Sequence, residues 1–157
     1  MLVQTDIPLA REIDGLAGKG PPIVITVPGE IRGKGRPRFS ARGGRPRAYT
    51  DTKTATAENW VKCCALEVAP PAPLAGALAL AVEVVVRVPA SWPKGMRALA
   101  LSGLLRPTSK PDLDNVIKLI ADALNGVIWE DDKQIVEVRA RKSFGDAPRA
   151  VLEVRAL

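Results

Sequence analysis

The chain of 157 residues has no histidine, two cysteines and only 4% aromatic residues. Without histidine there is no serine–histidine or cysteine–histidine nucleophile. Two cysteines alone cannot complete a four-ligand zinc site. Cys63 and Cys64 are neighbours. Consecutive helical positions point about 100° apart, so the two read as small buried hydrophobes and not as a disulfide. No apolar run reaches the roughly 18 residues of a membrane helix. The first residues, MLVQTDIPLAREIDG, carry acids where a signal peptide needs cations and an apolar stretch. The expectation is a cytoplasmic protein with no membrane partner. The chemistry left to it uses carboxylates, lysine, hydroxyls or a hard metal ion.

The length suits one domain able to bury a core without staples. Apolar residues make up 46% and charged residues 25%, as in ordinary soluble folds. Residues 1–22 read as a loosely ordered leader and 23–157 as the domain. IVITV (23–27) reads as a strand. DTKTATAENWVKCCALEVA (51–69) reads as a helix capped by Thr50 or Asp51, with Ala57, Val61, Cys64 and Val68 as its core stripe. ALALAVEVVVRV (77–88) reads as a central strand and 91–103 as a short helix from Ser91 to Gly103. A helix from Asp112 to Asn125 follows, with Leu113, Ile117, Ile120 and Leu124 apolar and Gly126 after it. VIW then reads as a short strand, EDDK as a turn, and QIVEVRARK and RAVLEVRAL as strands. The order predicts an α+β fold: a mixed sheet with two to three helices.

The net charge is +6, yet residues 109–134 collect Asp112, Asp114, Asp122, Glu130, Asp131 and Asp132. Carboxylates in a first helical turn are ordinary caps, each favourable by about 0.3–1 kcal/mol. Three acids in a turn usually just face water. Asp122 is eight residues beyond Asp114, about 12 Å along a helix, and reads as structural. If the chain after Gly126 returns toward Asp112, then Asp112, Asp114 and Asp132 converge. Such a trio repels itself and calls for a cation. All-oxygen ligands suit Mg²⁺, with Mn²⁺ as a substitute. An EF-hand is excluded, because loop positions six and twelve counted from Asp112 are Ile117 and Ala123.

Residues 31–50 hold Arg32, Lys34, Arg36, Arg38, Arg42, Arg45 and Arg47 and no acid. Glycine and proline make this a basic loop or irregular hairpin. Its arginine excess favours bidentate grip on phosphates. A stacking platform for bases has little support from so few aromatics. Basic loop and acidic cluster together describe an enzyme that holds a nucleic-acid backbone and acts on its phosphates.

KPDLDNVIKLIADALNGVIWEDDKQIVEV (110–138), with KGRPRF (34–39) and RAYT (47–50), resembles the RusA family of Holliday-junction resolvases. The resemblance implies a homodimeric, Mg²⁺-dependent endonuclease acting on branched DNA such as a four-way junction. It places the essential aspartates at Asp112, Asp114 and Asp132, holding the metal together with the neighbouring paired acid Asp131, and the essential lysine at Lys118. The basic motif implies DNA contacts from Lys34, Arg36, Arg38, Arg45 and Arg47. Paired symmetric nicks and 5′-phosphate and 3′-hydroxyl ends are the expected outcome. Two other readings stay open. Pro111-Asp112 with Asp131-Asp132-Lys133 fits a restriction-type PD-(D/E)xK pattern, which would make Lys133 catalytic. A non-catalytic DNA-binding protein would use its acids as caps and turns.

Overall fold

A computed structural model describes residues 19–35, 38–40, 47–49 and 51–157. The long sheet strands are built from β-branched, apolar runs. They are β1 (Lys19–Pro28), β4 (Leu78–Arg87), β5 (Ile135–Gly145) and β6 (Arg149–Ala156), and they lie in the order β1-β6-β4-β5. Neighbours β1 and β6, and β6 and β4, run antiparallel, whereas β4 and β5 run parallel. The sheet is therefore mixed, as the element order predicts. A parallel pair needs a long crossover. Here it carries α2 (Lys94–Leu101) and α3 (Leu113–Leu124). The short strands β2 (Arg38–Ser40) and β3 (Arg47–Tyr49) pair antiparallel within the basic segment, forming the expected irregular hairpin. Helix α1 (Thr52–Leu66) follows.

One face of the sheet and the inner sides of α1 and α3 make the core. Ile25, Leu80, Val82, Leu152 and Val154 from the sheet meet Val61 and Ala65 of α1 and Leu119, Ile120 and Leu124 of α3. Each such side chain contributes about 1.5–3 kcal/mol on burial. Trp129 is fully buried beneath them, its indole N–H donating to the Asn125 side-chain oxygen at 2.9 Å.

Several local expectations shift. The buried positions of α3 are Val116, Leu119, Ile120, Ala121, Ala123 and Leu124, with Leu113 only packed against the core from outside. Ile120 and Leu124 of the expected stripe are in the core, and Val116 and Leu119 complete it in place of Leu113 and Ile117. Val68 lies beyond the end of α1 and is exposed, and the buried side of α1 is Thr54, Val61 and Ala65. VIW is not a strand. Val127 and Ile128 sit in a turn, and Trp129 forms only isolated bridges to Leu74 and Asn125. The EDDK turn tightens into a 3-10 helix over Asp132–Gln134. Residues 19–22 of the expected leader belong to β1, and residues 1–18 lie outside the described residues.

Candidate active site

The segment that leaves β1 fastens two helix starts together. The Lys34 backbone N–H donates to the Asn115 carbonyl at 2.9 Å, and the Gly35 N–H donates to Thr54 Oγ1 at 3.1 Å. Gly33 permits this approach, since a Cβ there would stand 2.8 Å from the Asn115 Cβ. The first turns of α1 and α3 thereby wall a cleft of about 460 Å³. Arg32, Lys53 and Lys110 line it together with Glu30, Asp51 and Asp112.

Asp112 is the N-cap residue of α3, in extended backbone conformation, and Asp114 lies in the first turn. Both carboxylates are exposed. The Asp112 side chain caps nothing, and its Oδ2 receives only a long contact of 3.4 Å from Asn115 Nδ2. A carboxylate free of cap duty is available to a ligand. Lys118 is exposed one turn after Asp114, on the same side of α3. Lys142 of β5 braces the approach, its ammonium donating to the Ser109 and Pro111 carbonyls at 2.7 and 3.0 Å.

Asp131 and Asp132 stand at the other end of α3. Its 12 residues span about 18 Å at a rise of 1.5 Å each, and Trp129 closes back onto Asn125 just past the end. β5 gives a second ruler. Asp132 precedes its first residue, whereas Lys142, which holds Pro111, lies seven positions along it, or about 23 Å. Among the described residues no three acids come together as a metal site. The convergence of Asp132 on Asp112 and Asp114 is therefore not made within one chain. The reason is that α3 leads the chain away and the 3-10 turn feeds β5 instead of returning.

Asp131 is occupied locally. Its side chain accepts from the Lys133 N–H at 3.0 Å and completes a capping box with Gln134. That backbone hydrogen bond, with the Lys133 charge, holds its carboxyl below the usual aspartate range despite some desolvation. Lys133 itself is 80% exposed and pairs with Asp131 at 3.4 Å.

Lys34, expected on DNA, turns inward. Its ammonium pairs with Asp122 and with Glu58 Oε1 at 3.4 Å, an atom shut off from solvent. Burial acts to lower the Lys34 pKa, but the two carboxylates outweigh it and hold the ammonium above the usual lysine range. Lys34 thus ties α1 to α3 at the root of the basic segment. Arg36 and Arg45 lie outside the described residues. Arg38 and Arg47 lie on β2 and β3. Lys34 borders the cleft together with Arg32 of the basic segment, and Lys53 and Lys110, which lie outside that segment, are cations that the sequence pattern does not single out. These cations are scattered over three segments, and only folding brings them together.

The family profile of Endodeoxyribonuclease RusA matches residues 28–155. The chain belongs to the RusA family. A relative in Bacillus subtilis (strain 168), described as uncharacterized protein YqaN, is 36% identical over 135 residues, covering 85% of this chain and 95% of that protein. RusA family members are endodeoxyribonucleases of branched DNA, and as a family they depend on divalent metal. The donors present here fit a hard cation in kind, being carboxylates without histidine or cysteine. In number, one chain offers Asp112 and Asp114 at one end and Asp132 at the other. No helix among the described residues is long and apolar enough to cross a membrane.

Proposed function

We propose that this RusA family protein is a Mg²⁺-dependent endonuclease that resolves four-way DNA junctions as a homodimer. The observation that carries the reading is the cleft at the start of α3, where an uncapped Asp112 meets Arg32, Lys53 and Lys110. Cations bind the phosphate backbone, and an exposed acid pair beside them suits a phosphodiester cut.

In this reading Asp112 and Asp114 of one copy, with Asp132 of a second copy, hold the cation. The long separation of these acids within one chain supports a site shared between copies. The chemistry supplied by a bound divalent cation is polarisation of the scissile phosphate and activation of water. The chain does the rest. Lys118, one turn from Asp114, meets negative charge as it develops on the phosphate. Asp131 keeps the turn that presents Asp132. The basic segment with Arg36, Arg38, Arg45 and Arg47 holds the arms through their phosphates. Two equivalent sites about a two-fold axis then give paired, symmetric nicks with 5′-phosphate and 3′-hydroxyl ends. Mn²⁺ has the same ligand preference and should substitute.

Asp112→Asn tests this. It should abolish Mg²⁺-dependent cleavage while junction binding in EDTA stays at or above wild type, because a negative charge beside phosphate is gone. Normal cleavage by this variant would remove Asp112 from the site.

A further inference from the structure

Beside the acid cleft lies a second, smaller pocket of about 220 Å³. Val27, Ile31, Ala57 and Val61 give it apolar walls, and Trp60 stands at its side. Trp60 is 49% exposed. Its indole N–H is already spent, donating to the Pro28 carbonyl at 3.0 Å. That bond fixes the ring against the end of β1, so what remains for a ligand is the apolar ring. Pockets for drug-sized ligands run to about 300–1,000 Å³. This one is smaller and suits a single flat ring.

The pocket is continuous with the acid cleft. Ile31, Arg32, Lys53 and Glu30 line both. Arg32 and Lys53 are exposed and form no ion pair among the described residues. A strand lying across Asp112 therefore passes two free cations on its way to Trp60. Glu30 at the shared wall disfavours a phosphate deep in the pocket and tolerates an uncharged base. In a duplex every base is stacked and paired. Only a branch point or an unpaired stretch can give one up at low cost.

We propose that this pocket takes one unstacked nucleobase of the strand lying in the acid cleft. Trp60 stacks on the base, and Arg32 and Lys53 hold the phosphates next to it. The proposal rests on the reading of the protein as a nuclease of branched DNA. It adds a reason for preferring branches over duplex: a branch supplies the base.

The test is a fluorescence-anisotropy titration in EDTA, where no cleavage occurs. The probes are a labelled oligo-dT strand, a synthetic four-way junction and a matched duplex. Stacking of one base on an aromatic ring is lost in Trp60→Ala, so strand and junction binding should weaken about 10-fold, with duplex binding nearly unchanged. Trp60→Phe keeps a ring but lacks the N–H, and should retain most of the affinity. Arg32→Ala with Lys53→Ala should flatten the salt dependence of strand binding by about one to two units. Trp60→Ala binding all three probes like wild type would overturn the proposal. So would equal losses in Trp60→Phe and Trp60→Ala, which would trace the effect to the Pro28 hydrogen bond. An unchanged salt slope would remove the phosphates from Arg32 and Lys53. Cleavage of the junction by wild type with Mg²⁺, run in parallel, reports on the nuclease reading alone.

Discussion

Mixing two inactive variants, Asp112→Asn and Asp132→Asn, should restore activity. Ligand oxygens of Mg²⁺ lie about 2.0–2.1 Å from the ion, so carboxylates sharing one ion approach to about 4 Å. Within a chain, α3 holds Asp112 and Asp132 apart by most of its 12 residues, or about 18 Å. No side-chain rotation closes that gap. A shared site takes Asp112 and Asp114 from one copy and Asp132 from the other. In a random mixture of the two variants, about half of the dimers are mixed, and each mixed dimer has one intact site and one doubly damaged site. About one quarter of wild-type sites should therefore return. The assay is nicking of an end-labelled junction by co-refolded protein under single-turnover conditions. The product should be a nicked junction and not a resolved one, because a mixed dimer has only one working site. A mixture as inactive as its two parents would refute the shared site.

Other outcomes follow from the same geometry. Lys118→Ala should lose about 10²–10³ in single-turnover cleavage rate with folding intact, whereas Lys133→Ala, an exposed turn lysine paired with Asp131, should stay within a few-fold; the reverse pattern would favour the restriction-type site. Gly33→Val should force the β1 exit segment off Asn115, which a mere Cβ would already approach at 2.8 Å, and cost about 1–3 kcal/mol by denaturant titration. A Lys34–Asp122 double-mutant cycle should give a coupling of about 1–2 kcal/mol, between exposed and buried pairs, as both side chains are only about a quarter exposed. The Lys34 pKa is raised in the folded state, so its contribution is complete below the ordinary lysine value of about 10.4 and is lost as pH climbs past it. Wild type should therefore lose stability above about pH 10 more steeply than Lys34→Met, as read by thermal melts across that range.

The first and central strands are legible because their runs are β-branched and apolar, and Gly126, which has φ of +73°, ends α3 where the sequence places it. On α3 the apolar pattern marks Ile120 and Leu124 for the core, where they lie, but not Val116, because Ile117 and Val116 are equally apolar and only packing against the sheet chooses between them. VIW looked extended for its β-branched pair, but the need to bury Trp129 folds it into a turn. Asp112, Asp114 and Lys118 were found by motif, and α3 does put them on one exposed stretch. What the sequence could not give was distance. Asp132 is 20 positions from Asp112, and whether the chain returns is decided by the parallel pairing of β5 with β4. Lys34 reads as a DNA contact from the company it keeps in the sequence. Its partners, Glu58 and Asp122, come from two helices far along the chain.

Cleavage of a labelled synthetic four-way junction against a matched duplex, each with Mg²⁺ and with EDTA, tests the central claim most directly. The junction should receive paired, symmetric nicks that require Mg²⁺, with the duplex left largely uncut. Tight junction binding with no Mg²⁺-dependent nicking, or equal cutting of junction and duplex, would contradict it.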